Sequence, residues 1–291
     1  MKLFSLVTLA TTATALYTQR MTRIAGVEVI DTQIVRDARA MIKEFPDYLY
    51  SHQMRSWLFG AAMINANETL RRHVDLEVHA IATMLHDLGW DMTPGSRWVS
   101  SDKRFEVDGA IGARKWLSEH PIGKFLASQA LYASEILNNQ PEVGNSSLLV
   151  SQWAPERVRK VFQAIALHGS GSIVDFFELE EAVIVQSIGQ DYHGPVNGVS
   201  QESYNAIAKA FPQDELLSGT NKTFTWLAQT KPATTWGKIS RDFFPLSALN
   251  WQGLTSIHPK DTWLEPWGEA FVPGYSAVGH RSFDNIVGTT R

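Results

Sequence analysis

Apolar positions recur along much of this chain at the three- and four-residue steps of amphipathic helices. The strongest stripe joins Leu76, Ala80, Ile81, Met84, Leu85 and Leu88, with Gly89 placed where a helix would stop. Upstream, Asp31 can cap a helix through about Phe45, with Ile34, Val35, Ala38, Met41 and Ile42 turned inward. Pro46 ends that helix and opens another, which carries the aromatic-rich segment from Asp47 to Gly60. The polar stretch Asn65 to Asp75 reads as a loop, and so does Trp90 to Ser96. A helix is predicted from Phe105 through about Leu117, with Ala110, Ala113, Trp116 and Leu117 inside. Pro141 to Pro155 reads as an inserted loop, and Pro155 starts a helix that Gly169 stops just after His168. The apolar run from Ala182 ends at Asp191, and two further helices follow between Ser200 and Gln229, divided by Pro212. After Phe244 and Pro245, the aromatics Trp251, Trp263, Trp267, Phe271 and Tyr275 are scattered without a period. The reading is an all-α fold with an irregular tail.

Composition narrows the class. A chain of 291 residues, 44% hydrophobic and 19% charged, can bury one sizeable core and fits a single domain with an appendage. A net charge of -4 and a pI near 6.1 offer no basic footprint, so nucleic acid is not an expected partner. Residues Met1 to Ala15 combine one lysine, a short apolar run and an Ala-Thr-Ala ending. That is the pattern of a signal peptide cleaved after Ala15, and it predicts a secreted protein or one held in the secretory route. Sequons at Asn67, Asn145 and Asn221 agree with a glycoprotein on that route. No later stretch reaches about 18 consecutive apolar residues, so no membrane span is expected. The chain has no cysteine and therefore no disulfide. It also has no internal repeat and no Gly-rich phosphate loop.

The candidate chemistry sits at helix ends. His86 and Asp87 leave the apolar helix together, and an imidazole nitrogen beside a carboxylate oxygen suits a divalent metal such as zinc, iron or manganese. The bland alternative is a core histidine followed by a polar residue near a helix end. His52 lies in the aromatic-rich helix, His168 ends another helix as His86 does, and Asp191 closes an apolar run. His79 shares the face of His86 two turns earlier and reads as packed core. His120, before Pro121, has no ligand pattern around it.

The order His, His-Asp, Asp on successive helices is that of the HD superfamily of metal-dependent hydrolases. Several ordered pieces sharpen the likeness: Val35-Arg36-Asp37-Ala38, Pro46 to His52 continuing through Arg55 to Gly60, Leu85-His86-Asp87-Leu88-Gly89, Arg104 to Ala110, Ile165-Ala166-Leu167-His168 and Gly189 to Gly194. With these, the chain resembles the fungal cyanamide hydratase-like branch of the HD-domain proteins over residues 22–236, leaving 237–291 as an extension packed on the domain. The resemblance implies an HD-type helical bundle holding one divalent metal, zinc first and iron or manganese after it, on His52, His86, Asp87 and Asp191. It implies that Glu106 serves, from one layer behind the ligands, as an acid or base near a metal-activated water and that His168 handles a proton or orients substrate. The implied reaction is hydration of cyanamide, or of a similar small nitrile-type compound, with urea as the product from cyanamide. A secreted phosphomonoesterase or phosphodiesterase is the alternative, with Lys103 and Arg104 as the local cations. A non-catalytic protein that keeps the metal is the second. The expected partner is a small-molecule substrate, and the oligomeric state stays open.

Overall fold

The computed structural model describes residues 20–121, 153–170, 176–231 and 234. The expected leader at 1–15, the sequon at Asn145 and the extension at 237–291 lie outside the described residues. Within them the fold is mostly helical, as the periodicity predicts, with one small two-stranded sheet. Strands β1 (Met21–Ile24) and β2 (Val27–Ile30) pair antiparallel with Met21 opposite Ile30 and Ile24 opposite Val27. Ala25 and Gly26 both take positive φ, 49° and 82°, the backbone twist that a two-residue hairpin turn requires. The hairpin is absent from the sequence reading. Its inward residues Val27, Val29 and Ile30 join the main core.

Helix α1 (Gln33–Ile42) starts after Thr32, so Asp31 is not its cap. The Asp31 carboxylate instead pairs with Arg20 and Arg36. Helix α2 (Asp47–Ala66) opens after Pro46 and runs further than its aromatic segment suggests. The polar stretch at 65–75 is not a loop. Asn67 ends α2 and caps the short helix α3 (Glu68–His73), its side-chain oxygen accepting from Leu70 N–H. Asp75 then caps α4 (Leu76–Leu85) by accepting from the N–H groups of Glu77 and Val78. Beyond α4, Leu88–Trp90 forms a 3₁₀ turn.

Helix α5 is Phe105–Glu119, α6 is Pro155–Leu167 and α7 is Leu179–His193. The last two, α8 (Gln201–Ala210) and α9 (Leu216–Thr230), fall on either side of Pro212 as expected. Helix α4 is the hub. Every residue from Glu77 to Leu85 is buried, with α1, α2, α5, α6 and α7 packed around it. Ile81, Met84 and Leu85 are wholly buried there, and cutting any of them to alanine would cost about 2–5 kcal/mol. A second, smaller apolar cluster joins Tyr48, Leu49, Trp90 and Phe105 to Phe224, Leu227 and Ala228 of α9. Among the described residues no helix is long and apolar enough to cross a membrane.

Candidate metal centre

Helix ends meet between the two clusters. His52 sits in the second turn of α2, His86 is the C-cap of α4 with Asp87 next to it, His168 is the C-cap of α6, and Asp191 lies in the last turn of α7. Two glycines let α5 press on the ligand-bearing turn. A Cβ on Gly89 would stand 2.2 Å from the Phe105 carbonyl oxygen, and one on Gly109 would stand 2.4 Å from that of His86. Gly89 therefore serves a close approach between backbones rather than a helix stop, since α4 has already ended at Leu85.

His52, His86 and Asp87 form a buried group that could hold a metal ion. His52 Nε2 and His86 Nε2 are 3.1 Å apart, and Asp87 Oδ2 lies 3.5 Å from the first and 3.0 Å from the second. Donors about 2.1 Å from a tetrahedral or octahedral cation stand roughly 3.0–3.4 Å from one another, so the triangle has the right size. The hydrogen bonds behind the rings fix their orientation. His52 Nδ1 is 2.7 Å from Asp191 Oδ2, and His86 Nδ1 is 2.8 Å from the Thr83 carbonyl oxygen. Both partners only accept, so each Nδ1 carries the proton and each Nε2 of a neutral ring presents a lone pair. Two lone pairs at 3.1 Å repel unless something positive lies between them. Both Asp87 oxygens are buried and among the described residues lack a hydrogen-bond partner, a costly arrangement that a cation would relieve.

The pocket favours positive charge beside Asp87. Burial would raise the Asp87 carboxyl, but the His86 and His52 rings outweigh it and hold the group well below the usual carboxylate range. Burial would lower His52, but the Asp191 and Asp87 carboxylates outweigh that and raise it, so a cation bound at Nε2 would replace a proton that the pocket favours there. His168 is lowered by burial and by the neighbouring His86 ring.

Asp191, expected among the ligands, stands behind one of them. The two nitrogens of an imidazole point to different edges of the ring, and Asp191 occupies the Nδ1 edge while the triangle uses Nε2. Its own oxygens are already engaged. Arg55 Nε donates to Oδ1 and Arg55 Nη2 to Oδ2, each at 2.7 Å, and Gln213 Nε2 donates to Oδ1 at 2.7 Å. Burial would raise this carboxyl too, but Arg55 and His52 hold it down at about 2. Asp191 thus fixes the ring and tautomer of His52, a supporting role that metal-binding histidines commonly require.

His168 lines the cavity beside the triangle. Its Nδ1 donates to the Ile165 carbonyl at 2.6 Å, which turns Nε2 towards Asp87 Oδ1 at 3.6 Å. Glu106 stands one layer back, behind the cavity-lining Gly169. It is buried, but its carboxylate is clamped by Arg104 and packed against Gly169, and it does not line the cavity beside the triangle. Its charge reaches His168 only through space. Asp108 faces elsewhere, taking Lys231 Nζ at 2.6 Å. Lys103 pairs with Asp102 at the surface. His79 is buried against Ser187, as a packed core residue should be, and His120 bonds Asp37 away from the site.

The cavity itself is about 30 Å³, room for two or three water-sized groups. Trp90, Phe105, Tyr192, Ile188 and Phe224 wall it, together with the three histidines, Asp87 and Gly169. No lysine or arginine is among these residues. Of this wall the sequence reading gave roles to the histidines and Asp87 alone. Arg55 was within reach of inference, since it lies one turn after His52 on the same helix face. No protein-family model matches the chain, and no curated protein matches it.

Proposed function

We propose that this chain is a metal-dependent enzyme of the HD type, a hydratase that adds water to cyanamide or a similarly small nitrile-type compound. The observation that carries the metal is Asp87, with two buried oxygens, unpartnered among the described residues, beside two imidazole lone pairs. Two nitrogens and one carboxylate oxygen suit zinc first, with iron or manganese as alternatives. Bound there by His52, His86 and Asp87, the cation would supply a water acidic enough to act as a nucleophile near neutral pH.

The remaining work falls to the chain. Asp191 and Arg55 hold His52 in register, and Thr83 does the same for His86. His168, neutral and with a lone pair on Nε2, can take a proton from water in the cavity and return it to the substrate nitrogen. Across the reaction, oxygen bonds to the nitrile carbon and two protons end on nitrogen, so cyanamide becomes urea. Trp90 lines the cavity and has a buried indole N–H with no hydrogen-bond partner among the described residues, a donor suited to a small polar substrate. The aromatic walls keep bulk water out. The cavity's size and its lack of cations favour a small neutral substrate over a phosphate ester, which needs positive groups around its oxygens.

The test is to purify the chain, quantify bound metals, and assay it on cyanamide and on an aryl phosphate, each with and without a chelator. Chelator-sensitive urea release is the expected result. Chelator-sensitive phosphate release would replace the hydratase with a phosphohydrolase. Bound metal with neither activity would leave a metal-holding binding protein.

A further inference from the structure

The described sequons have opposite surroundings. Asn221 lies within α9, only 2% exposed, between the fully buried Thr220 and Thr223. Asn67 is exposed at the junction of α2 and α3, in extended backbone with φ -124° and ψ 116°. Its Oδ1 accepts from Leu70 N–H at 3.1 Å, and among the described residues its Nδ2 donates no hydrogen bond. The helix cap therefore uses the oxygen of this amide and leaves the nitrogen to solvent. Thr69, the hydroxyl residue of the sequon, is exposed as well.

We propose that Asn67 is an N-glycosylation site and that Asn221 is not used. In the transfer, Nδ2 loses one proton and bonds to the anomeric carbon of a lipid-linked oligosaccharide. The carbon–oxygen bond to the lipid diphosphate breaks, and the diphosphate leaves with the electron pair. The new bond is on nitrogen, so Oδ1 goes on capping α3. The sugar also stands clear of the metal centre. Asn67 lies beyond His52 along α2 by about 22 Å, at about 1.5 Å per residue. The site requires the chain to enter the secretory lumen, the role expected of residues 1–15.

The full chain is expressed in cultured eukaryotic cells twice, with its own N-terminus and behind a proven secretory leader. Secreted protein is treated with an N-glycanase in heavy-oxygen water, and occupied asparagines are mapped by mass spectrometry. Asn67 is expected to be occupied in most molecules of both preparations, and Asn221 in none. Thr69→Ala and Asn67→Asp should each abolish that glycan while keeping the cap and the far-ultraviolet circular dichroism of the parent, and Thr69→Ser should retain it. An unmodified Asn67 in protein secreted by the added leader overturns the proposal, as does a glycan on Asn221. A glycan that forms only with the added leader overturns it for the native chain.

Discussion

Replacing Arg55 should separate the stability of this fold from its hold on a metal. Arg55 is wholly buried; it makes two charge-assisted hydrogen bonds to Asp191 and donates through Nη1 to the carbonyls of Phe211 and Pro212, at 3.0 and 2.6 Å. Asp191 is held at about 2 against its ordinary 3.8, because Arg55 and His52 outweigh the burial that would raise it. Arg55→Met leaves that carboxylate buried with only His52 and Gln213, and two carbonyls lose their donor. Breaking a buried pair from one side costs about 3–5 kcal/mol, a large part of a typical domain's stability. Urea denaturation of the variant should show that loss. Removing both charges in Arg55→Met with Asp191→Leu should recover most of it, because no unpaired charge then remains. The metal should not recover. Without an acceptor on Nδ1, His52 loses its fixed tautomer, and affinity should fall by about 10–100-fold in a competitive chelator titration. An Arg55→Met protein within about 1 kcal/mol of the parent, or a double variant with parental affinity, would refute this division of labour.

Other substitutions probe neighbouring links. Asp87→Asn keeps the shape but removes the charge, and elemental analysis of the purified protein should find less than about a tenth of the parental metal. Trp90→Phe keeps the ring and deletes the buried N–H; KM for the small substrate should rise by about tenfold with kcat and melting temperature little changed. Gly109→Ala forces α5 away from the His86 carbonyl, so thermal melts and denaturant titrations should show a loss of about 1–3 kcal/mol. Burial lowers the His79 pKa from 6.5 to about 3, so between those values the unfolded chain binds the extra proton and stability falls as the pH drops. From pH 7 to pH 5 that group should remove about 2 kcal/mol, and His79→Gln should flatten this part of the urea-denaturation profile by the same amount.

The helical pattern was legible wherever one face meets water. In α1 the positions Ile34, Val35, Ala38 and Ile42 are buried as their spacing requires. Helix α4 shows why ends were harder. It is buried on all sides, so its apolar run continues past Leu85 into the 3₁₀ turn and no polar face marks the change. At 65–75 the polar run concealed α3 because a short, exposed helix has no apolar stripe to display. The hairpin at 21–30 is too short for alternation to stand out. At the site, His52, His86 and Asp87 could be named because ligand chemistry is written in residue type. Asp191 and Glu106 were harder to place because residue type does not tell a free carboxylate from a partnered one: Arg55, 136 residues away in sequence, engages the first, and Arg104, only two residues before it, engages the second.

The meeting of helix ends has an effect that the side chains do not carry. Helices α4 and α6 finish at the cavity with His86 and His168 as their caps, and α7 finishes just beyond Asp191. Each peptide dipole adds to a partial negative charge at those carbonyl ends, worth about half an elementary charge per helix. Three such ends tilt the cavity towards positive guests, opposed in part by the N-terminus of α5, whose first residue Phe105 also walls it. Because it arises from the backbone, exchanging His52, His86 or Asp87 would leave this contribution in place.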